Sequence, residues 1–555
     1  MKKFLALALA IVTVLSLCAA CSGGTGMGTG IGGKGGKDGA DKSGITLTIG
    51  LPTNAMVLDY DANALTKYLE EQTGYNLEFH VYSGGSDVAT QISTTVAAQQ
   101  KLPDIIMGIT LGDGVITRYG EDGYFIDLAP YLEDREKSKV WWERLENTEH
   151  FSEYEQKDII RKMTEPESGA IYALPTLETS LVDTIDYQVW INKTWLDKLN
   201  LQAPTTVDEL YTVLKAFKEQ DPNGNGKADE LPLFGSQSAG LGADVVNWLV
   251  NQFLYFNDRK PWAVSDDGKL SAPYVTNEYR EAMKFVRKLI KEGLMQDSCF
   301  TTGSSDMQRI TTPASGTALC GIFVGHLTLH ASMNNEVLYQ YEPLKPLKGQ
   351  YCVVNDNTFR RNIYITSDCA NPDAAWDLLM TMRTKEASTR IRYGEYDVNW
   401  KEAPEGAVSD VGKPAEIMII NDPFNTQNTC LWSGATGSTN YWAEGENAVM
   451  AEESSDWIKY RSKMAAQSRA NFDEGCANNP KNLCPTLVYT EAEKEATSAM
   501  RTAVSDYWTK ARTDFGKGIL NPESDSDWNA YVANLNKLGL QDYLNLAQKA
   551  YDRQK

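Results

Sequence analysis

The stretch ITLTIGLP, Ile45–Pro52, decides how the chain is read. It is a short run rich in β-branched residues ending at a proline, which predicts a strand. ANALTKYLEEQTG follows at 62–74, with Leu65, Tyr68 and Leu69 on one helical face and Gly74 as the stop. NLEFHVY at 76–82 predicts a second strand, SDVATQISTTVAAQQK at 86–101 a second helix, and PDIIMGI at 103–109 a buried strand. Strands alternating with helices at this spacing predict βαβ units, a parallel sheet and an α/β fold. Sites in such sheets lie off the carboxyl ends of the strands. Here those ends are Pro52–Asn54, Ser83–Ser86 and Gly108–Asp113.

The chain has 555 residues, more than one hydrophobic core sustains, so two lobes are expected. Its net charge of -21 argues against a nucleic-acid partner, whose phosphates demand the opposite sign. Lys2 and Lys3 precede an apolar run, Phe4 to Leu17, that is too short to span a membrane. Small residues then lead to Cys21, a pattern that resembles a bacterial lipobox, with residues 1–21 as signal peptide and Cys21 acylated. Cys18 and Cys21 also have CxxC spacing, but both lie in or beside the segment to be removed or acylated. Residues 22–44 are glycine-rich and read as a tether. Cys299, Cys320, Cys352, Cys369, Cys430, Cys476 and Cys484 remain. Their odd number argues against a full disulfide framework, although the spacing allows one local bridge, Cys476–Cys484.

Further along, YQVWI at 187–191 reads as a strand and TTVDELYTVLKAF at 205–217 opens a helix, with Thr206 and Glu209 at capping-box spacing. NEYREAMKFVRKLIKEGL at 277–294 is helical and GTALCGIFV at 316–324 is strand-like. NIYIT at 362–366 is a strand, NPDAAWDLLMTM at 371–382 a helix, and two helices close the chain.

Between the 205–217 helix and the next strand lies DPNGNGKADE, Asp221–Glu230. Asp221, Asn223, Asn225, Lys227 and Asp229 occupy positions one, three, five, seven and nine of a calcium loop, the seventh through its backbone carbonyl. The twelfth position, which should be a bidentate glutamate, is Pro232; Glu230 carries the nearest carboxylate. Three carboxylates, two amides and one carbonyl suit a hard cation, Ca2+, although the same letters also make an Asn-Gly turn.

PDIIMG, YGEDGYFIDLAPYL, GAIYALP, INKTWLDKLNLQAPTTVDELYTVLKAF, KEGLMQDSCF, NPDAAWDLLMTM, RYGEYDVNW and YVANLNKLGLQDYLNLAQKAYDR follow one another in order. This ordered set resembles the extracellular solute-binding lipoproteins of bacterial carbohydrate ABC importers, in their large Gram-positive form. The loop is similar to that of alginate-binding proteins. The resemblance implies a two-lobed periplasmic-binding-protein-like clamp crossed several times by the chain. Lobe I would comprise 45–178 and 350–420, and lobe II 179–349 and 421–555. Crossings would fall near Pro175–Asp183, near Leu344–Val353 and between Trp400 and Cys430. It also implies a structural calcium at the six loop positions, a carbohydrate ligand, permease subunits as partners, a lipid anchor at the outer face of the membrane, and a monomer.

Sugar sites set aromatic faces beside amides, carboxylates and arginines. By place in the pattern, the candidates are Asn54, Asp113, Tyr187, Trp190, Trp248, Arg360, Trp432 and Trp442, with the last two around a loop suited to a lid. His326 and His330 are four apart, but no Glu completes HExxH; His326 is kept as a solute contact. No GxSxG, HExxH or P-loop is present. The rival readings are a secreted carbohydrate-active enzyme, which needs paired carboxylates, and a binding lipoprotein used for sensing solutes or peptides.

Overall fold

The computed structural model describes residues 44–83, 88–147, 151, 153–177, 184–240, 242–333, 335–354, 359–421, 428, 432 and 446–555. In chain order its strands are β1 (Thr46–Pro52), β2 (Asn76–Tyr82), β3 (Ile105–Met107), β4 (Leu174–Leu177), β5 (Val189–Asn192), β6 (Leu231–Phe234) and β7 (Ala263–Val264). They continue with β8 (Leu270–Ser271), β9 (Cys320–Val324), β10 (Tyr341–Pro343), β11 (Phe359–Ile365), β12 (Trp400–Glu402), β13 (Ile417–Ile419) and β14 (Ala448–Met450).

The opening run forms β1, which pairs in parallel with both β2 and β3. The helix Ala64–Thr73 starts where the Asn63 side chain accepts from the Leu65 N–H, and stops at Gly74, in the left-handed region at φ 75. The first sheet has the order β2-β1-β3-β11-β4. The expected parallel pairing holds for three strands and ends there, because β11 is antiparallel to both β3 and β4. β4 and β11 are the strands by which the chain leaves and re-enters this sheet. Leu47, Ile49, Leu65, Leu69, Trp376 and Leu379 fill one face of the sheet.

The second sheet has the order β10-β5-β9-β6 and is mixed. Its core gathers Ile191, Phe217, Phe234, Met283 and Phe323, and draws in Trp508 and Phe515 from the long helix Glu491–Lys517. The architecture is therefore a two-lobed α/β clamp. The chain passes from the first sheet to the second between Leu177 and Val189 and returns between Pro343 and Phe359. Ile185 and Val354 pair in antiparallel fashion where the two crossings meet, and the Asp186 N–H donates to the Val353 carbonyl at 3.0 Å.

The packing does not divide at residue 420. Trp400, Ile417 and Ile419, on the small sheet β12-β13-β14, are buried with the second core. Trp432 is buried with the first, fully enclosed, with Nε1 donating to Thr66 Oγ1 at 2.9 Å and its ring edge-on to Phe79. Trp432 is thus a core residue rather than part of a lid. Its loss should lower the unfolding free energy by about 3–5 kcal/mol in Trp432→Ala, as read by denaturant titration.

Cys476 and Cys484 are free thiols in different places. Cys484 lies in the second core. Cys476 packs instead beside Cys352, Ile185 and Phe472, against the crossings. A hydrogen bond from Cys352 draws the Cys476 thiol below its ordinary pKa, which favours its thiolate. Oxidised glutathione should therefore join Cys352 to Cys476 in preference to Cys476 and Cys484, and peptide mapping by mass spectrometry reads which pair forms.

Candidate functional site

Thr110–Gly114 follow β3, and Asp113 opens the helix Asp113–Glu121. β11 runs beside β3 and brings the buried Arg361 to the same place. Arg361 donates to Asp113 Oδ1 at 2.8 Å and to Glu165 Oε1 at 2.7 Å. Thr117 Oγ1 donates to Glu165 Oε2 at 2.8 Å. A buried guanidinium held on both sides gives this wall one shape.

The facing wall belongs to the second lobe. It comprises Arg259–Trp262, Cys484–Tyr489 and the start of the helix Glu491–Lys517 as far as Arg501. A cleft of about 960 Å³ lies between the walls. Trp262, Tyr489, Tyr543 and Phe359 line it with aromatic carbon, and Trp262 meets Tyr543 edge-on at 4.9 Å between centroids. Arg161 reaches across to the Thr486 carbonyl. Arg259 also pairs with Asp186 at 2.6 Å, which ties the cleft wall to the crossing segments. Burial pushes the Asp186 carboxyl up to about 6, and the Arg259 guanidinium pulls the other way.

Of the sequence candidates, Asp113 and Arg360 line this cleft. Asn54 sits in a turn after β1, its Oδ1 accepting from the Met56 N–H at 3.0 Å. Tyr187 and Trp248 border a separate cavity of about 40 Å³ beside the crossings. Trp190 is buried, with Nε1 donating to the Gly325 carbonyl at 2.8 Å. His326 is half-buried, its Nδ1 3.0 Å from Thr328 Oγ1. The His330 ring accepts from the His326 N–H at 2.8 Å and lies 3.2 Å from the Ala239 carbonyl, so hydrogen bonding already occupies both nitrogens. Trp442 lies outside the described residues. Arg259, Lys260, Trp262, Arg361, Tyr489, Arg501 and Tyr543 were not singled out by sequence. DRKPW at 258–262, two cations and an indole around a proline, was the available signal.

The loop Asp221–Glu230 folds on itself. Asp221 accepts from the N–H groups of Asn225 and Gly226, each at 3.1 Å, and Gly226 takes φ 73, which a side chain would resist. The Asn223 and Asn225 amides converge on Asp229 Oδ1 at 3.1 and 3.0 Å. Glu230 Oε1 is buried without a hydrogen-bond partner among the described residues. Burial, with Asp221 and Asp229 nearby, raises the Glu230 pKa. An orphaned carboxylate oxygen beside two further acids is a donor set that fits a hard cation. No cluster of three or more His, Cys, Asp and Glu side chains forms a ready metal cage among the described residues, so such a site would draw on the amides and the Lys227 carbonyl.

Residues 56–314 match the family model described as bacterial extracellular solute-binding protein. The chain is 24% identical over 506 residues to the fructooligosaccharide ABC transporter substrate-binding protein FusA of Streptococcus pneumoniae, covering 89% of this chain and 88% of FusA. FusA in complex with kestose has a TM-score of 0.67 at 22% identity, covering 92% of this chain and 99% of that one. An EF-hand mutant of FusA in complex with fructo-nystose gives 0.66, also at 22% identity, over 92% and 99%. The alginate-binding protein AlgQ2, solved without calcium ion, gives 0.60 at 19% identity over 92% and 99%. The two sheets, the paired crossings between them and the cleft they border form one clamp, and the chain is similar to the bacterial extracellular solute-binding proteins, through the family model over residues 56–314 and through FusA over most of both chains.

Proposed function

We propose that the chain is the receptor of a carbohydrate ABC importer, capturing an oligosaccharide between its lobes and delivering it to a permease. The observation that carries this reading is the inter-lobe cleft of about 960 Å³, with its fixed Arg361–Asp113 pair on one side and aromatic faces on the other. Sugar rings offer apolar faces to such platforms and hydroxyls to such polar groups. The volume sits at the upper end for small-molecule sites and leaves room for a short oligosaccharide. FusA, which aligns over most of both chains, carries a fructooligosaccharide function in its name, and this supports the same ligand class.

Capture follows from differential affinity. Ligand touching both walls favours the closed arrangement over the open one, and the paired crossings at Ile185–Asp186 and Val353–Val354 form the hinge. The closed form docks on membrane subunits, and a separate protein hydrolyses ATP. Acylation at Cys21 with the tether at 22–44 would hold the receptor near its permease and raise its local concentration there. Isothermal titration with a panel of oligosaccharides tests the reading. Saturable binding without product release supports it, while release of cleaved sugar would assign the cleft to an enzyme instead.

The loop Asp221–Glu230 is read as a calcium staple of the second lobe. Asp221, Asn223, Asn225, Asp229 and Glu230 would hold the ion with the Lys227 carbonyl. The ion would offset the Asp221, Asp229 and Glu230 carboxylates of this loop and stabilise the fold. Calcium added to chelator-stripped protein should raise the melting temperature, by about 2.7 kcal/mol of stability at a hundredfold excess over Kd. Glu230→Gln should remove most of that gain. The raised Glu230 pKa adds a sign: proton and calcium compete for this carboxylate, so affinity should fall as pH is lowered. A calcium-independent melting temperature in the unaltered protein would end this reading.

A further inference from the structure

Arg259 stands where the cleft meets the first chain crossing. Its guanidinium lines the cleft with the side chain 27% exposed, whereas the side chain of its partner Asp186 is fully enclosed. Arg259 Nη1 donates to Asp186 Oδ2 at 2.6 Å and Nη2 to Oδ1 at 3.3 Å. Each terminal nitrogen carries a second N–H and Nε carries another, so the pair leaves donors for a solute hydroxyl. Asp186 is itself fixed by the backbone around it. Its N–H donates to the Val353 carbonyl at 3.0 Å, and Tyr187, next in the chain, holds φ 55. A bulky residue in the left-handed region costs energy and persists where its surroundings over-determine it.

The surroundings of this pair do not favour a carboxylate. Asp258 and Asp244 lie near Asp186, Arg512 pairs with Asp244 at 2.8 Å, and Tyr187 adjoins them. Asp258 Oδ2 accepts from Asn247 at 3.0 Å, while its Oδ1 is enclosed without a hydrogen-bond partner among the described residues. Cys352 and Cys476 pack on the other side of Ile185, and Arg469, paired with Asp473 at 2.9 Å, donates to Thr184. Burial and the neighbouring acids outweigh Arg259 and hold the Asp186 value at about 6. A carboxyl raised in this way adds stability while protonated, and that stability is lost as pH rises through about 6. The ionised pair at neutral pH is therefore explained by what it holds in place, not by stability.

We propose that Asp186 is the positioning residue for Arg259, which hydrogen-bonds the captured solute, so that solute affinity follows the ionisation of Asp186. The proposal rests on the reading of the cleft as the solute site. A neutral Asp186 holds the guanidinium less firmly. By linkage, a solute that needs the guanidinium held favours the ionised carboxyl and expels its proton.

The test is isothermal titration of the full chain in calcium-containing buffer between about pH 8 and about pH 5, a range that brackets the Asp186 value. The probes are kestose, maltotriose, cellotriose, xylotriose and trigalacturonate, and the one bound most tightly near neutral pH is carried through. Its affinity should fall several-fold as pH is lowered across the range. Binding near the midpoint should release protons, read as a heat that changes with the ionisation enthalpy of the buffer. Asp186→Asn should bind about tenfold more weakly near neutral pH, flatten the profile and abolish the proton release while the melting temperature holds. Asp258→Asn removes a neighbouring negative charge and should move the midpoint to lower pH. Unchanged affinity in Asp186→Asn, or a profile that keeps its shape in that variant, would overturn the proposal and leave the receptor reading standing. So would an unmoved midpoint in Asp258→Asn, or a melting temperature in Asp186→Asn that falls with the affinity, the mark of a merely structural ion pair. Binding of none of the probes would overturn the receptor reading and the proposal with it.

Discussion

Two lobes joined by a single strand of chain would swing freely, and a cleft between them would have no definite geometry. Here the two crossings run side by side. The Asp186 N–H reaches the Val353 carbonyl and Ile185 pairs with Val354, so the segments bend together. This short antiparallel contact ties the two crossing segments to each other. Arg259 extends it, because the guanidinium that lines the cleft also pairs with the buried Asp186 in the crossing segment. Cys352 and Cys476 pack against the same contact, where Asn479 bonds both the N–H and the carbonyl of Cys352.

Charge is distributed with similar economy. The chain carries a net charge of -21, and the described lining of the cleft includes Arg259, Arg360, Arg361 and Arg501. In the second lobe, the Asp221–Glu230 loop sets Asp221 and Asp229 near the buried Glu230 side chain.

Local patterns made the first βαβ units legible, because the periods that define them are contained in a few residues each. Strand direction beyond β3 was not, since β4 and β11 are placed by distant pairing. Arg360 was read as a cleft residue and Arg361, its neighbour, was not. Alternation along a strand turns adjacent side chains to opposite faces, yet here both reach the cleft lining, where β11 carries a bulge between Arg361 and Ile363. Tryptophans misled for a plain reason: Trp190, Trp248 and Trp432 are nearly or fully enclosed, and an indole serves a core as well as a sugar platform. The helices Asp456–Cys476 and Glu491–Lys517 went unread although Thr490 and Glu493 form a complete capping box. At Thr206 the hydroxyl accepts from the Glu209 N–H while the Glu209 carboxylate bonds Thr205 instead.

β11 lies between β3 and β4 in the first sheet, although the whole second sheet intervenes in the sequence. A chain emerging from the N-terminus forward can therefore make β1, β2 and β3 early but must leave β4 without its neighbour until Phe359–Ile365 arrives. The first lobe cannot be sealed ahead of the second. Such delayed closure keeps the polypeptide pliable and rich in unpaired edges for most of its synthesis. That is a liability for a protein folding in place, and an advantage for one that must be threaded through a narrow export channel before it acquires a fixed shape.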